Sequence, residues 1–161
     1  MDIIDKQLMA KEMIEEEGLE CVVYDDATGL VIKPGVTVVG HPTIGVGRAL
    51  DKKGLSTAEV SYLLSNDIAE YIDELTEFPW FMGMDPIRRR VIINMRHQLG
   101  LTGLLEFRNM IAYIAVGNWK SASAQGLVSK WANQTPSRAL KMMAMLRTGI
   151  SYIKSPNITE A

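Results

Sequence analysis

Glu17-Gly18-Leu19-Glu20-Cys21-Val22-Val23-Tyr24-Asp25-Asp26-Ala27-Thr28-Gly29, followed further on by Thr43-Ile44-Gly45-Val46-Gly47, is the part of the chain on which the fold turns. Gly18 is able to stop a helix over residues 3–17, because glycine accepts the left-handed backbone that ends helices. Residues 20–24 are rich in β-formers, and residues 25–29 carry turn chemistry. Val31-Ile32, residues 36–39 and residues 43–46 are further β-branched runs, broken by Pro34-Gly35 and Gly40-His41-Pro42, which predicts a small antiparallel sheet. Gly45-Val46-Gly47 lacks the strand-to-helix context of a phosphate loop and reads as close backbone approach in a hairpin. Glu17 and Asp26 flank one short strand, with the Thr43 hydroxyl beyond them. Such a carboxyl pair is what glycosidic bond cleavage uses: one acid protonates the leaving oxygen, and a carboxylate on the other side assists water or stabilises the sugar.

Downstream the pattern changes to helices. Ser56-Thr57-Ala58-Glu59 fits a capping box, and Val60, Leu63, Leu64, Ile68, Tyr71, Ile72 and Leu75 repeat at helical spacing, predicting a helix of about 20 residues that Phe78-Pro79-Trp80 ends. Asp85-Pro86 is a cap followed by a first-turn proline, opening a helix through Val91, Ile92, Met95 and Leu99 that Gly100 terminates. Thr102-Gly103 reads as a turn. Residues 104–116, 119–131 and 136–147 read as three more helices, the last stopped by Gly149. The expected fold is therefore α+β and predominantly helical. A small N-terminal lobe at about residues 15–60 carries antiparallel hairpins, a long helix at about 57–76 leads on, and an all-helical C-terminal lobe covers about 77–155 with the first helix packed on it. Together these form one domain of residues 1–161, and a cleft between lobes is the expected ligand site.

Composition narrows the function classes. The 161 residues are 47% hydrophobic and 22% charged, which is ordinary globular usage. The single cysteine, Cys21, has no partner for an internal disulfide, and no Cys/His spacing suggests zinc, so packing must supply stability and a reducing cytoplasm suits the chain. No run of about 18 apolar residues offers a membrane span, and the first residues do not read as a signal peptide. The net charge of -2 conceals polarity: residues 1–26 hold nine acids and two bases, whereas residues 107–159 hold seven bases and no acid. Neutralisation between the two ends, or a surface for an anionic polymer, would account for it. Basic runs with interleaved aromatics are lacking, so nucleic acid is not expected as a partner. The ten methionines read as core packing, and Trp80, Trp119 and Trp131 as core anchors.

Glu17-Gly18-Leu19, Tyr24-Asp25-Asp26 and Thr43-Ile44-Gly45-Val46-Gly47 resemble the Glu-Gly-Leu, Tyr-x-Asp and Thr-Ile-Gly-x-Gly succession of the lysozymes of T-even bacteriophages, glycoside hydrolase family 24. Arg89-Arg90, Ile93-Asn94-Met95, Gln98, Gly100, Thr102-Gly103 and Phe107 resemble that family's central helix. Trp131-x-Asn133-Gln134-Thr135-Pro136-x-Arg138-Ala139, with Arg147-Thr148-Gly149, resembles its C-terminal signature. The resemblance covers about residues 9–152. It implies a lysozyme-like fold and a phage or prophage endolysin that hydrolyses the β-1,4 bond between N-acetylmuramic acid and N-acetylglucosamine, with inversion.

Glu17 would then be the general acid, Asp26 the carboxylate that positions or activates water, and Thr43 the hydroxyl near that water. Asn94, His97, Gln98, Met110, Gln125 and Arg138 would be the substrate-binding residues. The implied partner is peptidoglycan, acted on by a monomer that needs neither metal nor cofactor. It would accumulate in the host bacterial cytoplasm, without stable membrane insertion, and depend on a holin for release. A catalytically weakened wall-binding or phage-structural module is the alternative, since a fold can persist while function changes. Departures from the family pattern lie at the lengthened segment between Asp26 and Thr43, at Arg48 in place of a histidine, and at His97, Met110 and Gln125.

Overall fold

The computed structural model describes residues 5–153 and divides the chain into two compact units, Met1–Tyr62 and Leu63–Ala161. In the first unit, helix α1 (Lys6–Glu17) starts on Asp5, whose carboxylate accepts from the Gln7 and Leu8 N–H groups at 2.9 and 3.1 Å. Residues 3 and 4 of the expected helix lie outside the described residues. Gly18 ends α1 at φ 77°, ψ 176°, so the chain leaves with the positive φ that favours glycine but with extended ψ, and passes directly into a strand.

Strands β1 (Glu20–Asp25), β2 (Pro42–Gly45) and β3 (Arg48–Ala49) form an antiparallel sheet in the order β1-β2-β3. Tyr24 lies opposite Thr43, and Ile44 opposite Arg48. With Ile44 opposite Arg48, the β2 to β3 hairpin closes through Gly45-Val46-Gly47, its two glycines at φ 70° and 69°, in keeping with the hairpin expected there. Short helix α2 (Leu50–Lys53) follows.

Residues 36–39, expected as a strand, form none, and Val31 contributes only an isolated bridge to Tyr24. The reason is competition for backbone donors: the N–H groups of Val39 and Gly40 are taken by the Asp25 carboxylate at 2.7 and 2.9 Å, leaving no ladder for this run to join.

Helix α3 (Thr57–Thr76) contains the boundary between the units and opens with the expected capping box: Ser56 N–H donates to Glu59 Oε2 at 2.8 Å, and Glu59 N–H to Ser56 Oγ at 3.3 Å. Helix α4 (Pro79–Met82) and helix α5 (Pro86–Leu105) follow, the latter capped by Asp85, which accepts from Ile87 and Arg88. Gly100 breaks α5 at φ 71°, ψ 168°, as the sequence suggests, but Thr102-Gly103 is no turn, because helical structure resumes at once up to Leu105.

The expected 104–116 helix is interrupted at Glu106-Phe107 before α6 (Arg108–Ala115), and the expected 119–131 helix splits into α7 (Trp119–Leu127) and α8 (Lys130–Gln134). Ser129 causes the second break. Its hydroxyl donates to Gly126 O at 2.6 Å and accepts from Ala132 N–H at 3.1 Å, ending one helix and capping the next. Helix α9 (Pro136–Thr148) ends at Gly149 in the left-handed conformation.

The helices of the second unit enclose a core of Leu75, Val91, Ile92, Met95, Leu104 and Leu146, all fully buried, with Met84, Met110, Met142, Met143, Met145 and Trp131 among them. Trp80 and Trp119 pack against it half-buried. Each such side chain contributes about 1.5–3 kcal/mol through loss of water contact. The architecture is α+β and mostly helical, and among the described residues no helix is long and apolar enough to cross a membrane.

Candidate active site

Three consecutive backbone donors of the first unit converge on two neighbouring carboxylates. Val39 N–H donates to Asp25 Oδ2 at 2.7 Å, Gly40 N–H to Asp25 Oδ1 at 2.9 Å, and His41 N–H to Asp26 Oδ1 at 2.7 Å. Asp25 also accepts from Ala27 N–H at 3.0 Å and is buried. The Val39 N–H above all, with those of Gly40 and Ala27 and against the effect of burial, holds the Asp25 carboxyl below the usual carboxylate range. Its work is to stitch residues 39 and 40 onto the turn that follows β1. Asp26 differs: it is exposed, and its Oδ2 has no hydrogen-bond partner among the described residues.

The same His41 serves Thr43. His41 O accepts from Asp26 N–H at 3.1 Å and from the Thr43 hydroxyl, also at 3.1 Å, and Thr43 is buried on β2. Gly40 has no room for a side chain: a Cβ there would overlap Asp26 Oδ1 and come within 2.8 Å of Ala27 N. Glu17 is the last residue of α1 and is exposed. A Cβ on Gly47 would lie 4.0 Å from Glu17 Oε2, so the acid borders the β2 to β3 turn. Glu17, Asp26 and Thr43 thus all belong to the first unit.

Two pairs that the sequence reading did not find stand beside them. His41 Nδ1 meets Asp51 Oδ2 at 2.7 Å, and the hydrogen bond from His41 holds the Asp51 carboxyl below its ordinary range. Arg48 pairs with Glu59 and donates to Gly54 O at 3.4 Å. The Ser56 N–H and hydroxyl, with Arg48, bring the Glu59 carboxyl down to about 2. Partners ten or eleven positions apart that share no helix or strand leave no periodic signal to read.

The other residues singled out lie in the second unit. Gln98 Oε1 accepts from Trp131 Nε1 at 2.8 Å, and Trp131, Met110 and Gln125 line one cavity of about 640 Å³ together with Phe107 and Lys130. Met110 is itself 1% exposed and belongs to the core. His97 is exposed and joined through Nδ1 to the Tyr71 hydroxyl at 3.2 Å, while Arg96 stacks on Tyr71 at 4.0 Å and forks onto Glu74 at 2.7 and 2.8 Å. Asn94 Oδ1 is buried with no hydrogen-bond partner among the described residues, and Asn94 does not line that cavity. Arg138 is exposed on α9 and makes no ion pair among the described residues. No group of three or more acids, histidines or cysteines able to hold a metal ion occurs among the described residues.

A mostly helical chain with one small three-stranded antiparallel sheet is consistent with an α+β lysozyme-like fold. No family model matches the chain. It is 24% identical over 170 aligned positions to the pre-baseplate central spike protein Gp5 of Enterobacteria phage T4, covering 88% of this chain and 28% of that protein. It is 31% identical over 107 positions to the probable T4-type lysozyme 1 of Dictyostelium discoideum, covering 66% of this chain and 58% of that protein. The chain therefore spans less than two thirds of either relative's length. The chain is thus similar to part of a phage spike protein and to part of a T4-type lysozyme.

Proposed function

We propose that this protein is a muramidase that hydrolyses the β-1,4 bond between N-acetylmuramic acid and N-acetylglucosamine in peptidoglycan, with inversion at the anomeric carbon. The observation that carries the reading is the suspension of Asp26 and Thr43 from the two polar groups of one residue, His41. With Oδ1 fixed by the His41 N–H, Asp26 keeps Oδ2 for a water proton. The Thr43 hydroxyl, spending its proton on His41 O, keeps its lone pairs for the same water. Glu17 donates its proton to the leaving glycosidic oxygen, the water attacks C1 from the opposite face, and Asp26 receives the water's proton. The similarity to a T4-type lysozyme supports peptidoglycan as the substrate. Host lysis, with a holin giving access to the wall from the cytoplasm, is the biological role we attach to it.

Mass spectrometry of purified peptidoglycan after digestion tests the chemistry. Products ending in reducing N-acetylmuramic acid support it; 1,6-anhydro ends would indicate a transglycosylase instead. Glu17→Gln and Asp26→Asn should each fold and lose at least about 100-fold in rate, since a general acid or base contributes about 10²–10⁴-fold. A folded Glu17→Gln protein with wild-type activity would remove the acid from the mechanism.

A second reading is favoured by one observation: the similarity that covers 88% of this chain is to a spike protein. In it the chain is a wall-binding module of a phage structural protein with weakened catalysis. Binding to intact sacculi without release of soluble products would favour this reading over the first.

A further inference from the structure

We propose that His41 is a positioning residue for the reaction, its imidazole tethered to Asp51 so that the backbone carrying both Asp26 and Thr43 is held in one place. The proposal rests on the muramidase reading and adds to it the part of the chain between Asp26 and Thr43 that acts on the site.

The segment between Asp26 and Thr43 has no regular secondary structure except the Val31 bridge and the first residue of β2, so its conformation is set by individual bonds. Three of those bonds involve His41: its N–H to Asp26 Oδ1, and its carbonyl to Asp26 N–H and to the Thr43 hydroxyl. An error in the place of this peptide would therefore displace the carboxylate and the hydroxyl together. Pro42 follows and disfavours a helical conformation at His41, which limits the backbone but does not anchor it. The anchor is the side chain. His41 Nδ1 reaches Asp51 Oδ2 at 2.7 Å, and Asp51 stands in the first turn of α2, directly after β3.

The imidazole thus ties the segment's end to an element beyond the sheet, while Asp25 ties Val39 and Gly40 on the other side. His41 is half-buried and Asp51 is exposed, so the pair does not build the core. A residue that orients catalytic groups without touching substrate acts on the rate of the bound complex, and small misplacements of reacting groups cost up to about 100-fold.

The test compares His41→Ala, Asp51→Ala, the double variant and His41→Asn in kcat and KM on soluble peptidoglycan fragments, below the unfolding temperature of every variant. The expected result is a kcat lowered about 10-fold in His41→Ala with KM little changed, and the same loss in Asp51→Ala. The double variant should be no slower than the slower single one, because the two residues act as a unit. His41→Asn should regain most of the rate, since its amide nitrogen is able to donate to Asp51 from nearly the position of Nδ1. A wild-type kcat in folded His41→Ala, or losses that multiply in the double variant, would overturn the proposal while leaving the muramidase reading intact. If His41→Ala does not fold, Asp51→Ala decides alone: reduced kcat supports the tether and wild-type kcat overturns it. A wild-type protein that cleaves no peptidoglycan overturns the muramidase reading and the proposal with it.

Discussion

In the unit that ends at Tyr62 the buried side chains, among the described residues, are Asp25 and Thr43; in the unit that begins at Leu63 they are Leu75, Phe81, Val91, Ile92, Met95, Leu104 and many other apolar groups. The second unit is held by loss of apolar surface from water, which is non-directional and tolerant of small shifts. The first is held by side chains bonded to backbone: Asp25 to residues 27, 39 and 40, Asp26 and Thr43 to His41, Ser56 and Glu59 to each other, and Arg48 to Gly54. Such bonds are directional, so they fix where a carboxylate points. The polar unit carries the candidate acid and its partners.

The largest effect on stability is expected in the apolar unit. Leu104→Ala, at a fully buried position, should cost about 2–5 kcal/mol, read as a lowered denaturation midpoint in urea. A loss below about 1 kcal/mol would mean that the core collapses around the gap and packs less closely than its burial indicates.

A pair of glycines separates the two kinds of construction. At Gly40 an added Cβ overlaps Asp26 Oδ1, which is fixed by His41, and meets Ala27 Cβ at 2.7 Å. At Gly126 an added Cβ overlaps Met143 Sδ, part of an unbranched chain able to change rotamer. Gly40→Ala should destabilise by about 1–3 kcal/mol and also slow catalysis. Gly126→Ala lies inside α7, where alanine is favoured over glycine by about 1 kcal/mol, which offsets its crowding. Thermal unfolding of both should therefore rank Gly40→Ala as the less stable variant, and the reverse order would break the contrast.

The smallest effect concerns acid. Glu59 has its carboxyl lowered from 4.5 to about 2, so below its ordinary range the unfolded chain takes up this proton more readily than the folded one. The stability it contributes is complete above about 4.5 and is lost as pH falls through the window down to about 2. Glu59→Gln should flatten that slope in unfolding midpoints followed by circular dichroism; an unchanged slope would show that the Ser56–Glu59–Arg48 group does not act on stability in this way.

What the sequence made legible follows the same division. Ser56 with Glu59, and Asp85 with Pro86, announce helix starts because the bonding groups are within a few positions of each other. Gly100 and Gly149 likewise mark breaks that the backbone makes. Residues 36–39 carry β-branched side chains yet form no strand, because the acceptor for Val39 and Gly40 lies 14 and 15 positions back, on Asp25. Composition is blind to such a competitor. Within the candidate site, Asp25 and Asp26 are chemically equivalent as letters; the fold makes one a buried bracket and leaves the other exposed. The tether from His41 to Asp51 and the pairing of Arg48 with Glu59 were not legible, since neither pair lies within one helix or strand whose period would link residues ten or eleven positions apart.

The central claim is that Glu17 protonates the leaving oxygen while a water held by Asp26 and Thr43 attacks from the opposite face. Proton NMR of the first product, recorded before mutarotation on a soluble glycan fragment, reads it directly. The account predicts the α-anomer of the new reducing N-acetylmuramic acid, because one displacement inverts the β-bond. A predominant β-anomer would contradict it and make Asp26 a nucleophile that forms a covalent glycosyl intermediate.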